Sequence, residues 1–335
     1  MTSLQSPDRG RAVLPKPPRR IPWGFVLLGG VLILLPFVLD NIDLRRNAQL
    51  IVLSIGVLGV GVATGYAGLI SLGHGAFVGI GAFAMATYVD NLGLPFLVAL
   101  PLVFITGVLF GCVLGLPALR IKGIYLALVT LGFALVFPPL AKRFPSLTGG
   151  VSGRAVDAEF NPPAWTGLDE NQTVLWRYGF CVLVCILLFW LTHNMINSRV
   201  GRSLQAVRDN ETAAAVFGVD LVVAKVGAFG FSAGLAAMAG ALQTILFPFV
   251  SHEQFDVFLS FRLYAAAVLG GLGTLVGAVY GVIALILVPR INDALNLLEN
   301  EVFVFGAGLI LLTFVSPDGL AGLIHRRGRR HARQE

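Results

Sequence analysis

Apolar residues fill long unbroken runs along this chain, and polar residues gather in the gaps between them. No Asp, Glu, Lys or Arg occurs over positions 47–89, 91–119, 123–141, 178–198, 226–252, 263–289 or 302–317. A helix needs about 20 apolar residues to cross the hydrocarbon of a bilayer. The runs therefore predict spans over about 21–39, 48–66, 69–89, 95–116, 123–141, 173–192 and 221–247. The stretch 256–290 is too long for one span. It breaks at Gly270-Gly271-Leu272-Gly273-Thr274, giving helices over about 256–272 and 275–290, and a last span covers about 302–316. The expected fold class is all-α, a polytopic transmembrane bundle of about ten spans, within a range of eight to ten.

Composition narrows the class. Of 335 residues, 56% are hydrophobic and 13% charged, roughly half the ~25% charged content of ordinary soluble domains. So few charges cannot clothe a large soluble globule. That excludes a soluble enzyme, a nucleic-acid binder and a secreted disulfide scaffold. An outer-membrane barrel is excluded too, because its strands alternate apolar and polar residues. The first apolar run is too long for a cleaved secretory signal. Cys112, Cys181 and Cys185 all fall in charge-free runs, so they read as packing residues, with no metal set expected.

The net charge of +6 sits at the ends. Residues 1–20 form a Pro-rich basic arm with Arg9, Arg11, Lys16, Arg19 and Arg20, and residues 321–335 form a tail with Arg326, Arg327, Arg329, Arg330 and Arg333. Basic flanks mark the cytoplasmic side. An even number of spans through 21–320 places both ends there, although Arg290, near Asp293, Glu299 and Glu301, then lies outside. The same parity puts Arg120 and Lys122 inside, the loop 142–172 outside and the charged segment 193–220 inside.

Two glycine breaks stand at comparable places in the two halves, a hint of an internal repeat. One is Gly65-Tyr66-Ala67-Gly68, before Ser71-Leu72-Gly73-His74-Gly75; the other is Gly270-Gly271-Leu272-Gly273. Unwound backbone persists in a bilayer only where it lines a cavity or is buried in protein, so paired breaks point to a translocation path. The same glycines also permit close helix packing. Ser71 and His74, three residues apart, would share a helix face; with Thr130 they are polar groups in apolar surroundings. They serve either a solute path or local hydrogen bonding.

The chain has no phosphate-loop motif and no Asp, Glu or Lys deep in a span, which argues against nucleotide hydrolysis on this chain and against an ion-coupled transporter. In 193–220, Leu204, Val207, Ala214 and Phe217 recur at helical spacing around a break near Asp209-Asn210. Asp209 or Asn210 can cap a second short helix, and Gly218 can end it. A mixed-charge amphipathic helix of this kind suits docking on a cytosolic protein better than lying on lipid.

These residues resemble a known family. Gly65-Tyr66-Ala67-Gly68-Leu69-Ile70-Ser71-Leu72-Gly73-His74-Gly75-Ala76-Phe77 is similar to the signature of branched-chain amino acid permeases of ATP-binding-cassette importers. Arg120-Ile121-Lys122-Gly123-Ile124-Tyr125 with Thr130-Leu131-Gly132-Phe133, and Thr148-Gly149-Gly150-Val151-Ser152-Gly153, resemble the M-type member of the permease pair. Gly201-Arg202-Ser203-Leu204-Gln205-Ala206-Val207-Arg208-Asp209-Asn210-Glu211 with Gly218 resembles the cytoplasmic coupling loop, where Thr212 departs from the commoner pattern. Gly270-Gly271-Leu272-Gly273-Thr274 resembles a late glycine block.

The resemblance implies a permease subunit of a bacterial inner-membrane importer for leucine, isoleucine or valine, with urea, short amides or other amino acids as alternative cargo. It implies no cofactor on this chain; ATP and Mg would bind two separate cytosolic ATPases. The other implied partners are a second homologous permease, a periplasmic solute-binding protein and the lipid bilayer, with no nucleic acid. It puts Ser71, His74, Thr130, Gly68, Gly271 and Gly273 on the substrate path. Arg202, Arg208, Asp209, Asn210, Glu211 and Gly218 fall in the coupling loop, and Thr148, Gly149, Gly150 and Gly153 face the binding protein. A stand-alone ion-coupled amino-acid transporter is the rival from another class.

With both ends inside, a cysteine replacing His331 in a cysteine-free background resists membrane-impermeant maleimide in intact cells. Prompt labelling there would mean an odd number of spans.

Overall fold

The computed structural model describes residues 41–119, 121, 123–157, 160–163, 166–167, 172–295 and 319–320. The expected spans 21–39 and 302–316, both basic ends, Arg120 and Lys122 lie outside them.

Helix α1 (Asn41–Val60) continues as a π-helical turn over Gly61–Tyr66. After an unwound stretch, α2 (His74–Ala86) follows and ends in a second π turn over Thr87–Asn91. Next come α3 (Phe96–Gly115) and α4 (Ile124–Arg143), a single helical turn Pro145–Thr148, strand β1 (Arg154–Ala155) and α5 (Thr173–Asn197). Two short helices, α6 (Arg199–Asp209) and α7 (Glu211–Val216), lead into α8 (Leu221–Leu246). Strand β2 (Phe249–Val250), a 3-10 turn His252–Phe255, α9 (Val257–Gly270) and α10 (Leu275–Leu295) complete the described chain. Helices prevail because a backbone in hydrocarbon must satisfy its own hydrogen bonds. The two strands form one two-residue antiparallel ladder, Arg154 opposite Val250 and Ala155 opposite Phe249.

Among the described residues, five helical segments are long and apolar enough to span a bilayer: Asp43–Tyr66, Phe96–Gly115, Ile124–Arg143, Thr173–Asn197 and Leu221–Leu246. Helices α9 and α10 meet at a 118° bend and together form a sixth, broken element, dividing where the sequence predicts. The predicted span 69–89 differs. Its first residues are unwound, and the helix begins only at His74. From there to Asn91 it rises about 27 Å, short of a full crossing with headgroups.

Helix α8 is the hub. It is wrapped by α1, α2 and α3, and its residues from Ala228 to Leu246 are almost all buried. Small residues make this geometry accessible, because backbones touch where side chains are missing. A side-chain carbon on Gly107 of α3 would meet the Gly234 Cα at 2.9 Å, and one on Gly111 would meet the Gly230 Cα at 2.9 Å. On α2, a side-chain carbon on Gly81 would overlap the Ala237 carbonyl; in return, one on Gly240 would overlap the Val78 carbonyl. On α1, one on Gly59 would crowd the Ser232 carbonyl oxygen at 2.6 Å. Away from the hub, α3, α4 and α5 expose Leu97, Leu109, Val113, Leu135, Leu183 and Trp190 among the described residues, an outward apolar face.

Gly81→Leu forces the α2–α8 contact apart and costs roughly 1–3 kcal/mol or more, read as a lower melting temperature in detergent. Gly132→Ala, at a helical position with open space around it, leaves the melting temperature unchanged or slightly raised.

Candidate functional site

The two glycine breaks meet. A side-chain carbon on Gly65 would overlap the Gly273 backbone, so the break after α1 and the break between α9 and α10 press main chain against main chain. The α9–α10 turn needs Gly271 and Gly273, with φ of 112° and 83°, conformations that side chains resist. Thr274 closes it, donating from Oγ1 to the Gly271 carbonyl (3.0 Å) and accepting from the Gly277 amide (3.1 Å). Gly319 packs closely on it, since a side-chain carbon there would meet the Gly271 Cα at 2.5 Å.

Arg208, at the end of α6, sits over this seam. Its Nη1 donates to the Gly65 carbonyl, near the end of the π turn. A side-chain carbon on Gly68 (φ 70°) would meet Arg208 Cγ at 3.0 Å. Three residues singled out from sequence, Gly68, Gly271 and Gly273, thus share one seam with Gly65, and Arg208 of α6 touches it.

Ser198 caps α6 by accepting from the Val200 amide (3.1 Å), and Arg202 donates to the Asn197 carbonyl (3.3 Å). Asn210 caps α7 by accepting from the Ala213 amide (3.0 Å), and Gly218 ends it with φ 83°. Asp209 is exposed. Leu204, Val207 and Ala214 are buried, as their spacing predicts. Phe217 is not on that face: it is 87% exposed and stands outward beside Val216. The helical repeat ends at Val216, so the spacing that placed Phe217 inward no longer applies.

Ser71, His74 and Thr130 form a neighbouring cluster. Ser71 lies in the unwound stretch and His74 opens α2, so they share no helix face, contrary to expectation. Thr130 of α4 holds the unwound stretch, accepting from the Leu72 amide at 2.9 Å while donating to the Ala127 carbonyl at 3.0 Å. Ser260 of α9 accepts from the Gly75 amide at 2.9 Å. His74 is fully buried beside Phe77 and Phe229, and among the described residues neither ring nitrogen has a hydrogen-bond partner.

At the opposite end of the bundle, the loop 142–172 is pinned down. Thr148 faces inward, donating to the Ala141 and Phe144 carbonyls (2.6 and 2.9 Å) and accepting from the Gly150 amide (3.2 Å). Gly149, Gly150 and Gly153 turn the chain into β1, with Gly153 packed under Phe249. Arg154 bridges to Asp90 at 3.3 Å and donates to Asn91 at 2.5 Å. Phe160 plugs between Phe96, Trp176 and Phe180.

Sequence reasoning missed the ion pair Lys225–Glu211. Lys225 Nζ lies 2.8 Å from Glu211 Oε1, and the Lys225 side chain is 3% exposed. A basic residue five positions after the Asp220 cap reads as an ordinary helix flank; only the fold brings α7 over it. The pair ties α7 to the hub helix. Also missed was a cavity of about 590 Å³ between α1, α8, α9 and α10, containing Arg262. The signal was an arginine inside α9, between Phe261 and Leu263.

Comparisons with known proteins agree with the geometry. The sequence pattern of the family described as "Branched-chain amino acid transport system / permease component" matches residues 47–313. The high-affinity branched-chain amino acid transport system permease protein LivM of Salmonella typhimurium is 29% identical over 304 residues, covering 85% of this chain and 71% of its own length. LivM of Escherichia coli K12 is 30% identical over 282 residues, covering 78% of this chain and 66% of its own length. LivH of Salmonella typhimurium is 28% identical over 205 residues, covering 58% of this chain and 64% of its own. The M-type similarity therefore extends over more of the chain. No solved structure matches.

Glu211→Gln leaves the buried Lys225 without its carboxylate and costs roughly 1–3 kcal/mol, since Glu211 keeps some solvent contact. Combining it with Lys225→Met recovers most of that loss. Melting of the purified variants checks the cycle; additive losses would mean that the pair contributes nothing.

Proposed function

This chain belongs to the family of branched-chain amino acid transport system permease components, and from that premise we propose that it is the M-type permease subunit of an ATP-driven importer of branched-chain amino acids in a bacterial inner membrane. It works with a second homologous permease, two cytosolic ATPases that bind ATP and Mg, and a periplasmic solute-binding protein. The observation that carries the reading is the attachment of α6 and α7 to the interior at two points. Arg208 donates to the Gly65 carbonyl at the glycine seam, and Glu211 pairs with Lys225 at the root of the hub helix.

A chain without a phosphate loop must receive its energy from outside. In this reading, the exposed Val216 and Phe217 enter a groove on an ATPase. Nucleotide then moves α6 and α7, Arg208 shifts against Gly65, and the seam between the two breaks opens and closes. The importer alternates between its two access states as nucleotide shifts their populations. Backbone contacts at the seam suit a gate, since they pass no solute when shut and leave exposed carbonyls to solvate one when open. Ser71 and Thr130 keep the α2 break unwound beside it. At the other end, the pinned loop and the β1–β2 ladder offer a rigid surface to the binding protein.

Reconstituted with its four partners in liposomes, the chain supports leucine uptake that requires internal ATP and the loaded binding protein. Uptake by this chain alone under an ion gradient would instead favour the stand-alone transporter. In the complete importer, Phe217→Ala reduces co-purification of the ATPases. Arg208→Ala leaves assembly intact but lowers uptake per ATP hydrolysed about tenfold, as loss of a charged hydrogen bond implies. Unchanged coupling in Arg208→Ala would refute the latch.

A further inference from the structure

The cavity of about 590 Å³ belongs to neither the glycine seam nor the coupling segment. Its size lies within the roughly 300–1,000 Å³ of small-molecule sites. Its polar members are Arg262 of α9, Gln49 of α1, Gln243 of α8 and Gln254 of the 3-10 turn. Its deep wall is apolar: Leu53, Val57, Leu263 and Val282.

Arg262 stands six residues along α9 from the Asp256 cap, about 9 Å into the helix. Arg262 is exposed, its side chain open to whatever fills the cavity; an arginine on an apolar membrane helix is costly unless it faces water or a partner, and such residues mark solute pathways. Among the described residues, Arg262, Gln49 and Gln243 make no ion pair or side-chain hydrogen bond with protein, while Gln254 donates to the Phe249 carbonyl at 3.5 Å. The cavity thus presents an unmatched guanidinium, two free amides and a branched-aliphatic floor.

The position is also informative. Gln49, Leu53 and Val57 descend one face of α1, and the floor is closed where Gly56 faces Leu263, 3.2 Å from where a side-chain carbon would stand. Gly65, at the seam, follows nine residues later, about 13 Å farther along the helix. The cavity therefore lies on the Phe249 side of the seam and in line with it.

We propose that this cavity is a transient binding site for a free α-amino acid, in which Arg262 takes the carboxylate, the Gln49 and Gln243 side-chain carbonyls accept from the ammonium, and an aliphatic side chain rests on Val57, Leu263 and Val282. The proposal rests on the amino-acid importer reading and adds the groups that receive the cargo. A planar guanidinium matches a carboxylate with two parallel hydrogen bonds. Neutral amides hold the ammonium less firmly than a carboxylate would, so the cargo can leave towards the seam.

The test uses the complete importer in lipid nanodiscs, with Leu259→Cys as a reporter on the cavity wall. Its reaction rate with a small maleimide is read above that of the parent importer. L-leucine slows the reaction, and leucinamide, which has the same shape without the carboxylate, does not. Arg262→Gln raises the half-protective leucine concentration about tenfold or more, and Arg262→Lys gives an intermediate value. Equal protection by leucine and leucinamide, or protection unaffected by Arg262→Gln, would overturn the proposal. If neither compound protects in nanodiscs whose ATPase responds to the loaded binding protein, the site is wrong while the importer reading stands. Arg262-dependent protection in a complex that takes up no leucine would leave the site and remove the importer reading.

Discussion

Main chain pressed on main chain at Gly65 and Gly273 is the contact on which the rest of the arrangement depends. A bilayer tolerates unwound backbone only where protein covers it. Each break therefore needs the other, or a neighbour, as its cover. The stretch after Gly65 is held by Thr130 and capped by Arg208, and the α9–α10 turn is closed by Thr274 and backed by Gly319. Remove the glycines and the two interrupted elements cannot approach. Then Arg208 has no carbonyl to reach and the α6–α7 segment loses its contact with the seam.

The second constraint is the hub. Glycine and alanine on α8 allow three helices to reach its backbone, and this fixes where the ends of α1 and α2 fall. The Lys225–Glu211 pair sits at the root of that helix. Displacement of α7 thus reaches the hub, and displacement of α6 reaches the seam. The two short helices bury Gly201, Leu204, Val207 and Ala214, with Leu204 joined to the main core, and the two polar contacts add fixed points at the seam and at the hub.

Much of this was legible in sequence. The spans at 48–66, 95–116, 123–141, 173–192 and 221–247 have their counterparts, because long charge-free runs have one solution in lipid. The division at Gly270–Thr274 and the Asn210 cap were also legible, being local chemistry. The run 69–89 was not, since hydropathy reports burial and is blind to whether the backbone is wound. Phe217 was misplaced because a periodic pattern does not announce its own end. Thr148 read as a surface group until the fold supplied carbonyls at Ala141 and Phe144 for its hydroxyl. Lys225–Glu211, Arg154–Asp90 and the Arg262 cavity join residues from separate elements, and no spacing rule reaches across them.

Helix α8 has the lowest mean hydropathy of the five long segments, 1.7 against 2.6 for Phe96–Gly115. Residues chosen for close approach give up the greasy side chains that drive a segment from the translocon into lipid. Helices α1, α2 and α3 precede α8 in the chain and leave the ribosome before it. A hub of this composition therefore depends on the backbones it touches, as well as on lipid, for its place in the bilayer.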